Sequence, residues 1–171
     1  AIARLGGEVN FFSKVGQDDY GKLALKTLIK NKIKTDYVLQ SESLQTGVAG
    51  IFVDKSSGKN AINVITGAPS TLILDEIEDN LSIIKNSKIF LTQLEIPKDV
   101  TLHCLKIAKE NNVLTILNPA PASDLPKEFF NYIDYFTPNE TEAEFFTGLK
   151  ITNENEAKLA SKKIINMGVK K

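Results

Sequence analysis

The chain is poor in the residues that build metal centres and covalent crosslinks: among 171 residues there is one cysteine, Cys104, and one histidine, His103. A lone cysteine cannot close an intramolecular disulfide, and its isolation points to a reducing, cytoplasmic setting. His103 and Cys104 fall in a stretch with Val100, Leu102 and Leu105 and read as packing or surface residues of a helix. With no second His or Cys there is no material for a zinc site or a Cys-His nucleophile pair. No sign of charge prevails, since Lys plus Arg and Asp plus Glu both number 21. No global field therefore favours nucleic acid or an anionic membrane. No apolar run reaches the roughly 18 residues that a bilayer span requires, and no signal-peptide pattern opens the chain. Gly-x-x-x-x-Gly-Lys-Ser/Thr and Gly-x-Gly-x-x-Gly are both missing, which counts against P-loop kinases and dinucleotide-binding dehydrogenases.

What is present is the alternation of an α/β protein. Hydrophobic residues make up 42% of the chain, enough for one solid core. Ala1 to Leu5 reads as the end of a helix stopped by Gly6-Gly7, followed by a strand through Val9, Phe11, Phe12 and Val15. From a cap at Asp18 or Asp19, the residues Leu23, Leu25, Leu28 and Ile29 recur near helical spacing. Leu74, Ile77, Leu81 and Ile84 predict a further helix, and Lys88 to Leu94 a buried strand. A helix over Lys98 to Asn111, a strand over Val113 to Leu117, a short strand over Tyr132 to Phe136 and a helix over Glu154 to Met167 complete the rhythm.

One segment breaks it. Thr46 to Val53 and Ala61 to Ile65 flank the polar stretch Asp54 to Asn60, the pattern of a β-hairpin, which a parallel βαβ sheet does not need. It is expected to project as a flap or to extend a sheet edge.

Three successive strands end in polar groups: Glu95, then Asn118, then Asn139 with Glu142. Right-handed crossovers make such strands parallel, so these groups should emerge together at the carboxyl edge, where open α/β sheets bind ligands. Asn139 followed by Glu142 also has the spacing of a capping box, which satisfies orphan amides without any functional role. The two readings are compatible, because a capped helix start presents backbone donors and a positive dipole end to an anion.

Along essentially its whole length the sequence resembles the ribokinase-like, or PfkB, carbohydrate kinases. The resemblance is carried by Gly6 and Gly16 with Val15 to Gly21, by Gln45-Thr46-Gly47-Val48-Ala49 and by Gln93-Leu94-Glu95-Ile96-Pro97. Leu117 to Ala122 and Pro138 to Glu144 complete it. It implies a three-layer αβα sandwich with a mostly parallel sheet and a projecting β-hairpin lid over residues 45–67, the 171 residues forming one partial domain. It also implies ATP-dependent phosphorylation of D-ribose at its 5-hydroxyl. In that reading Asn139 meets the nucleotide and Glu142 organises Mg²⁺, through coordinated water. Glu95 binds the sugar, and Ala49, Ile51 and Val64 pack on it from a lid that pairs with a second lid in a homodimer. MgATP and a monovalent cation, K⁺, are the implied cofactors.

The resemblance further implies that the family's sugar-holding Gly-Gly-x-Gly-Ala-Asn region precedes Ala1. The Gly-Ala-Gly-Asp motif, the adenine pocket and the K⁺ site are expected after Lys171. No catalytic base is then expected among these residues, and the piece alone should be inactive. Another sugar or nucleoside kinase of the same fold, such as a fructokinase or deoxyribokinase, is an alternative reading. A non-catalytic sugar- or nucleotide-binding derivative is another.

Overall fold

The computed structural model describes residues 1–171, which divide into two compact units, Ala1–Leu72 and Ile73–Lys171.

The first unit opens with a short 3-10 turn, Ile2–Leu5, closed by Gly6, where a longer helix end was expected. The strand expected from Val9 is paired only at its far end, as β1 (Ser13–Gly16). The Val9 region contributes no more than an isolated bridge between Asn10 and Lys34. Helix α1 (Asp19–Lys30) starts at the Asp18 cap. Next comes β2 (Val38–Ser41), parallel to β1 with Ser13 opposite Val38. No strand was expected there: Val-Leu-Gln-Ser is short, half polar and lacks the alternation that marks a strand in sequence.

Strands β3 (Val48–Val53) and β4 (Asn60–Ile65) form the expected antiparallel hairpin. Its loop is organised by the Asp54 carboxylate, which accepts hydrogen bonds from Ser56 N (2.7 Å) and Ser57 N (2.8 Å) and from the Ser56 hydroxyl (2.6 Å). Those donors hold the Asp54 carboxyl down at about 2, far below the usual carboxylate range.

The second unit begins with two short helices, α2 (Leu74–Glu78) and α3 (Leu81–Lys85), in place of the single helix that the spacing predicts. The break falls at Asp79-Asn80, residues whose side chains compete with helical backbone bonding. Strand β5 (Ile89–Thr92) leads through α4 (Lys98–Glu110) to β6 (Leu114–Leu117). A 3-10 segment, Lys127–Tyr132, then leads to β7 (Tyr135–Phe136). Helices α5 (Glu140–Thr147) and α6 (Glu154–Asn166) follow. The three strands form one parallel sheet in chain order, β5-β6-β7. Beyond α6 the chain returns alongside β7, with Phe136 N donating to Lys171 O (3.0 Å) and Lys171 N to Asp134 O (2.9 Å).

The core of this unit gathers Leu105, Leu117, Phe129, Phe130, Ile133, Phe136, Ala143 and Ile164. Phe130, Phe136 and Phe146 meet edge to face, with ring centroids 5.3 to 6.0 Å apart. Such contacts add about 0.5–1.5 kcal/mol each beyond the area they bury. Apolar burial on one side of the sheet fixes the register, and the register fixes where the strands let go of their polar successors.

Candidate active site

The parallel register sets Thr92 beside Leu117 and Leu117 beside Phe136. Ladder bonds continue one step further, from Asn118 N to Thr92 O and from Thr137 N to Leu117 O, both 3.0 Å. Glu95, Asn118 and the Asn139–Glu142 turn thus leave the sheet at the same carboxyl edge, as the strand directions required.

Their side chains differ in what they do there. Asn139 caps α5 with an extended backbone, accepting from Glu142 N at 2.8 Å through Oδ1. The Glu142 carboxylate replies with both oxygens, accepting from Asn139 N at 2.9 Å and from Asn139 Nδ2 at 3.1 Å. This is the full capping box, so the structural role read from the spacing is real. Each carboxylate oxygen keeps lone-pair capacity beyond the bond it accepts. Glu142 is buried at 8% exposure while Asn139 is exposed. An anchored carboxylate therefore lies behind an open amide. Glu95 and Asn118 are exposed, and their side chains hydrogen-bond to nothing in the chain, so their polar groups are free for a ligand.

No cluster of three or more His, Cys, Asp or Glu side chains is assembled to hold a metal ion. A single anchored carboxylate fits a hydrated Mg²⁺ whose direct ligands come chiefly from phosphates and water. A cavity of about 360 Å³ opens at the opposite edge of the sheet, between Lys109, Asp134, Tyr135 and Lys170, and is lined by none of Glu95, Asn118, Asn139 and Glu142.

In the first unit the hairpin register pairs Ala49 with Val64 and Ile51 with Ile62. Ala49, Ile51 and Val64 therefore share one face of the ribbon. Ile51 and Val64 are 62% and 48% exposed, so that face is uncovered.

Sequence reasoning missed two buried or interlocked carboxylates. Asp134 reaches 19 residues back to Thr115, accepting from its N at 3.0 Å and its hydroxyl at 3.1 Å, while Lys109 and Lys170 pair with it from the other side. Burial pushes the Asp134 carboxyl up, but the hydrogen bonds from Lys109, Lys170 and Thr115 outweigh it and hold the group well below the usual carboxylate range. The signal available was an aspartate inside the apolar run Tyr132-Ile133-Asp134-Tyr135-Phe136. The other is Asp18, legible as a cap but not as a partner of Thr46, 28 residues away.

Comparison with known proteins identifies the family. The model of the pfkB family carbohydrate kinases matches residues 1–171. A ribokinase of Staphylococcus aureus is 35% identical over 170 residues, covering 99% of this chain and 56% of the relative. A deoxyribokinase of Salmonella typhi is 31% identical over 170 residues, covering 99% of this chain and 55% of the relative. The structure of Arabidopsis thaliana ribokinase complexed with ribose and ATP superposes with a TM-score of 0.84 at 30% identity, covering 98% of this chain and 55% of that one. The chain spans about half the length of these relatives.

Proposed function

Because the chain belongs to the pfkB family of carbohydrate kinases, we propose that the protein it forms part of transfers the γ-phosphoryl group of ATP to the 5-hydroxyl of D-ribose. The observation that carries this reading is the gathering of Glu95, Asn118 and the Asn139–Glu142 turn at one edge of a parallel sheet, two of them with free side chains.

Each residue then has a task that suits its chemistry. Glu95 accepts hydrogen bonds from sugar hydroxyls, since a carboxylate offers several acceptor sites and no donor. The Ala49, Ile51 and Val64 face packs against the carbon skeleton of the sugar and sheds water from it. Asn139 presents its open amide to the nucleotide at the start of α5, where the helix dipole favours an anion. Glu142 holds Mg²⁺ through water, and its locked geometry keeps that contact oriented. Bound Mg²⁺ would neutralise charge developing on the transferred phosphoryl group. The general base, the backbone anion hole and a K⁺ site are assigned to parts of the protein outside these residues. The opposite hairpin face, with Val48, Phe52 and Ile65, supports pairing with a second copy through the lid. Dependence on ATP fits a cytoplasmic setting.

The test is a coupled assay of the full-length protein with MgATP against ribose, 2-deoxyribose, fructose and adenosine. Ribose should give the highest kcat/KM. Replacing Glu142→Gln should lower kcat/KM by about 10- to 100-fold, the usual cost of losing an outer-shell metal partner. No turnover of any of the four acceptors would overturn the reading. Similarity to a deoxyribokinase makes 2-deoxyribose the second candidate, and a higher kcat/KM for it than for ribose would select that alternative.

A further inference from the structure

Every residue from 49 to 66 is exposed, so the hairpin leans on little but itself. Its direction is therefore set at its root, where it meets β1 and the start of α1, and that junction is tight. Thr46, at the foot of β3, is held from two sides. Its backbone N donates to Asp18 Oδ2 at 2.8 Å and its hydroxyl donates to Asp18 Oδ1 at 2.7 Å. The same hydroxyl accepts from Gly16 N, at the end of β1, at 2.9 Å. Asp18 Oδ1 also accepts from Gly21 N at 2.7 Å, which caps α1. One carboxylate thus joins the start of a helix, the end of a strand and the root of the hairpin.

The returning strand is pinned at the same point, with Ala68 N donating to Gln45 O at 2.8 Å. Side chains have been cleared from the junction. A Cβ on Gly21 would stand 2.0 Å from Gly16 O, and one on Gly67, whose φ is +57°, would stand 2.5 Å from Gly47 N. Gly67 is thus required for both its backbone conformation and its space.

We propose that Asp18 is a positioning residue for the sugar: by holding Thr46, its carboxylate fixes the angle between the hairpin and β1 and α1, and through that angle sets the KM for the sugar. The proposal rests on the kinase reading, in which the Ala49, Ile51 and Val64 face closes on the substrate. Hydrogen bonds from the Gly21 amide first, and then from Thr46, hold the Asp18 carboxyl below its ordinary range. The latch therefore stays ionised and closed at neutral pH. Loss of a hydrogen bond to a charged group is felt as roughly a tenfold change.

Asn at position 18 separates the latch from the cap. Asparagine is as good an N-cap as aspartate, so Oδ1 can still serve Gly21, but its amide nitrogen would face the Thr46 N–H, donor against donor. In the full-length protein, Asp18→Asn should raise KM for ribose about tenfold while leaving KM for ATP unchanged. It should also raise ATP hydrolysis uncoupled from sugar phosphorylation, because a loosely held lid admits water. Thr46→Val should do the same, and Thr46→Ser, which restores the hydroxyl, should return KM to the wild-type value. Asp19→Asn is the control, since that side chain is 97% exposed and pairs only with Lys22; it should leave KM unchanged.

Equal changes in both KM values, or a lower melting temperature with KM for ribose unchanged, would reduce Asp18 to a structural cap and overturn the proposal. If Asp18→Asn does not fold, the Thr46→Val and Thr46→Ser pair decides by the same readout. Hydrogen exchange separates this inference from the reading beneath it. A wild-type protein that phosphorylates no acceptor sinks the kinase reading. Faster exchange over residues 44–50 and 64–68 in Asp18→Asn, with Gly21 unaffected, would still support the latch, and unchanged exchange in both segments would refute it.

Discussion

The two units of this chain spend their apolar residues differently. In Ile73–Lys171 many converge on a cluster around Leu105, Leu117, Phe129 and Ile133, all between 0 and 1% exposed, although Ile89, Leu91 and Leu159 remain 53 to 58% exposed. In Ala1–Leu72 many face outward: Leu23 and Ile29 on α1 are 60% and 62% exposed, and Ile51, Phe52 and Ile65 on the hairpin are 62 to 69% exposed. Among the longer helices, only Gly21 of α1 is buried, against five residues of α4. The second unit is held together by packing. In the first, hydrogen bonds such as those from Thr46 to Asp18 and close backbone contact at Gly16, Gly21 and Gly67 join the elements around fewer buried side chains.

The largest test of that contrast is a core truncation. Phe129→Ala should cost about 3–5 kcal/mol, read as a lower urea midpoint, because a cavity is added to the lost transfer energy. A cost below about 1 kcal/mol would mean that the cluster does not hold the second unit.

Next in size is Asp134→Ala, which leaves Lys109 and the Thr115 amide without their shared acceptor and should cost about 3 kcal/mol. The pH dependence has a definite sign. A carboxyl whose folded pKa is depressed contributes stability above its unfolded value near 4, and that contribution fades as pH falls through the folded value. The urea midpoint of the wild type should therefore drop below about pH 4, and Asp134→Ala should flatten that acid limb. An unchanged limb would show that other carboxylates govern it.

The smallest effect is expected on the hairpin. Ile51→Ala removes an exposed side chain and should change stability by less than about 0.5 kcal/mol. If the uncovered ribbon serves the lid, the same change should nevertheless raise KM for ribose in the full-length protein. A stability loss comparable to that of Phe129→Ala would erase the distinction between the units.

Local features were readable from the sequence and distant ones were not. The Asn139–Glu142 box, the Asp18 cap and the hairpin all depend on neighbours within a few positions, and periodicity or turn chemistry reveals these. The common edge of Glu95, Asn118 and Asn139 followed from strand order and the handedness of crossovers. Asp18 with Thr46, and Asp134 with Thr115, join residues 28 and 19 positions apart, and no local pattern encodes such a meeting. Strand β2 escaped notice because its place beside β1 is set by a parallel ladder rather than by its own composition. The apolar stripe of α1 was visible, yet Leu23 and Ile29 stay uncovered, so amphipathicity marked the helix correctly without locating a cover for it.

The return of the chain alongside β7 bears on how the second unit is made. Strands β5, β6 and β7 and the residues up to Lys171 lie side by side in the order in which a ribosome would release them. Each has its docking surface ready when it emerges, so the sheet can grow one strand at a time, with one edge unpaired at every stage until the next strand arrives. Pulse-labelled hydrogen exchange on nascent chains of increasing length should show protection of β5 rising as soon as β6 is out, and simultaneous protection of all three strands would rule out such stepwise growth.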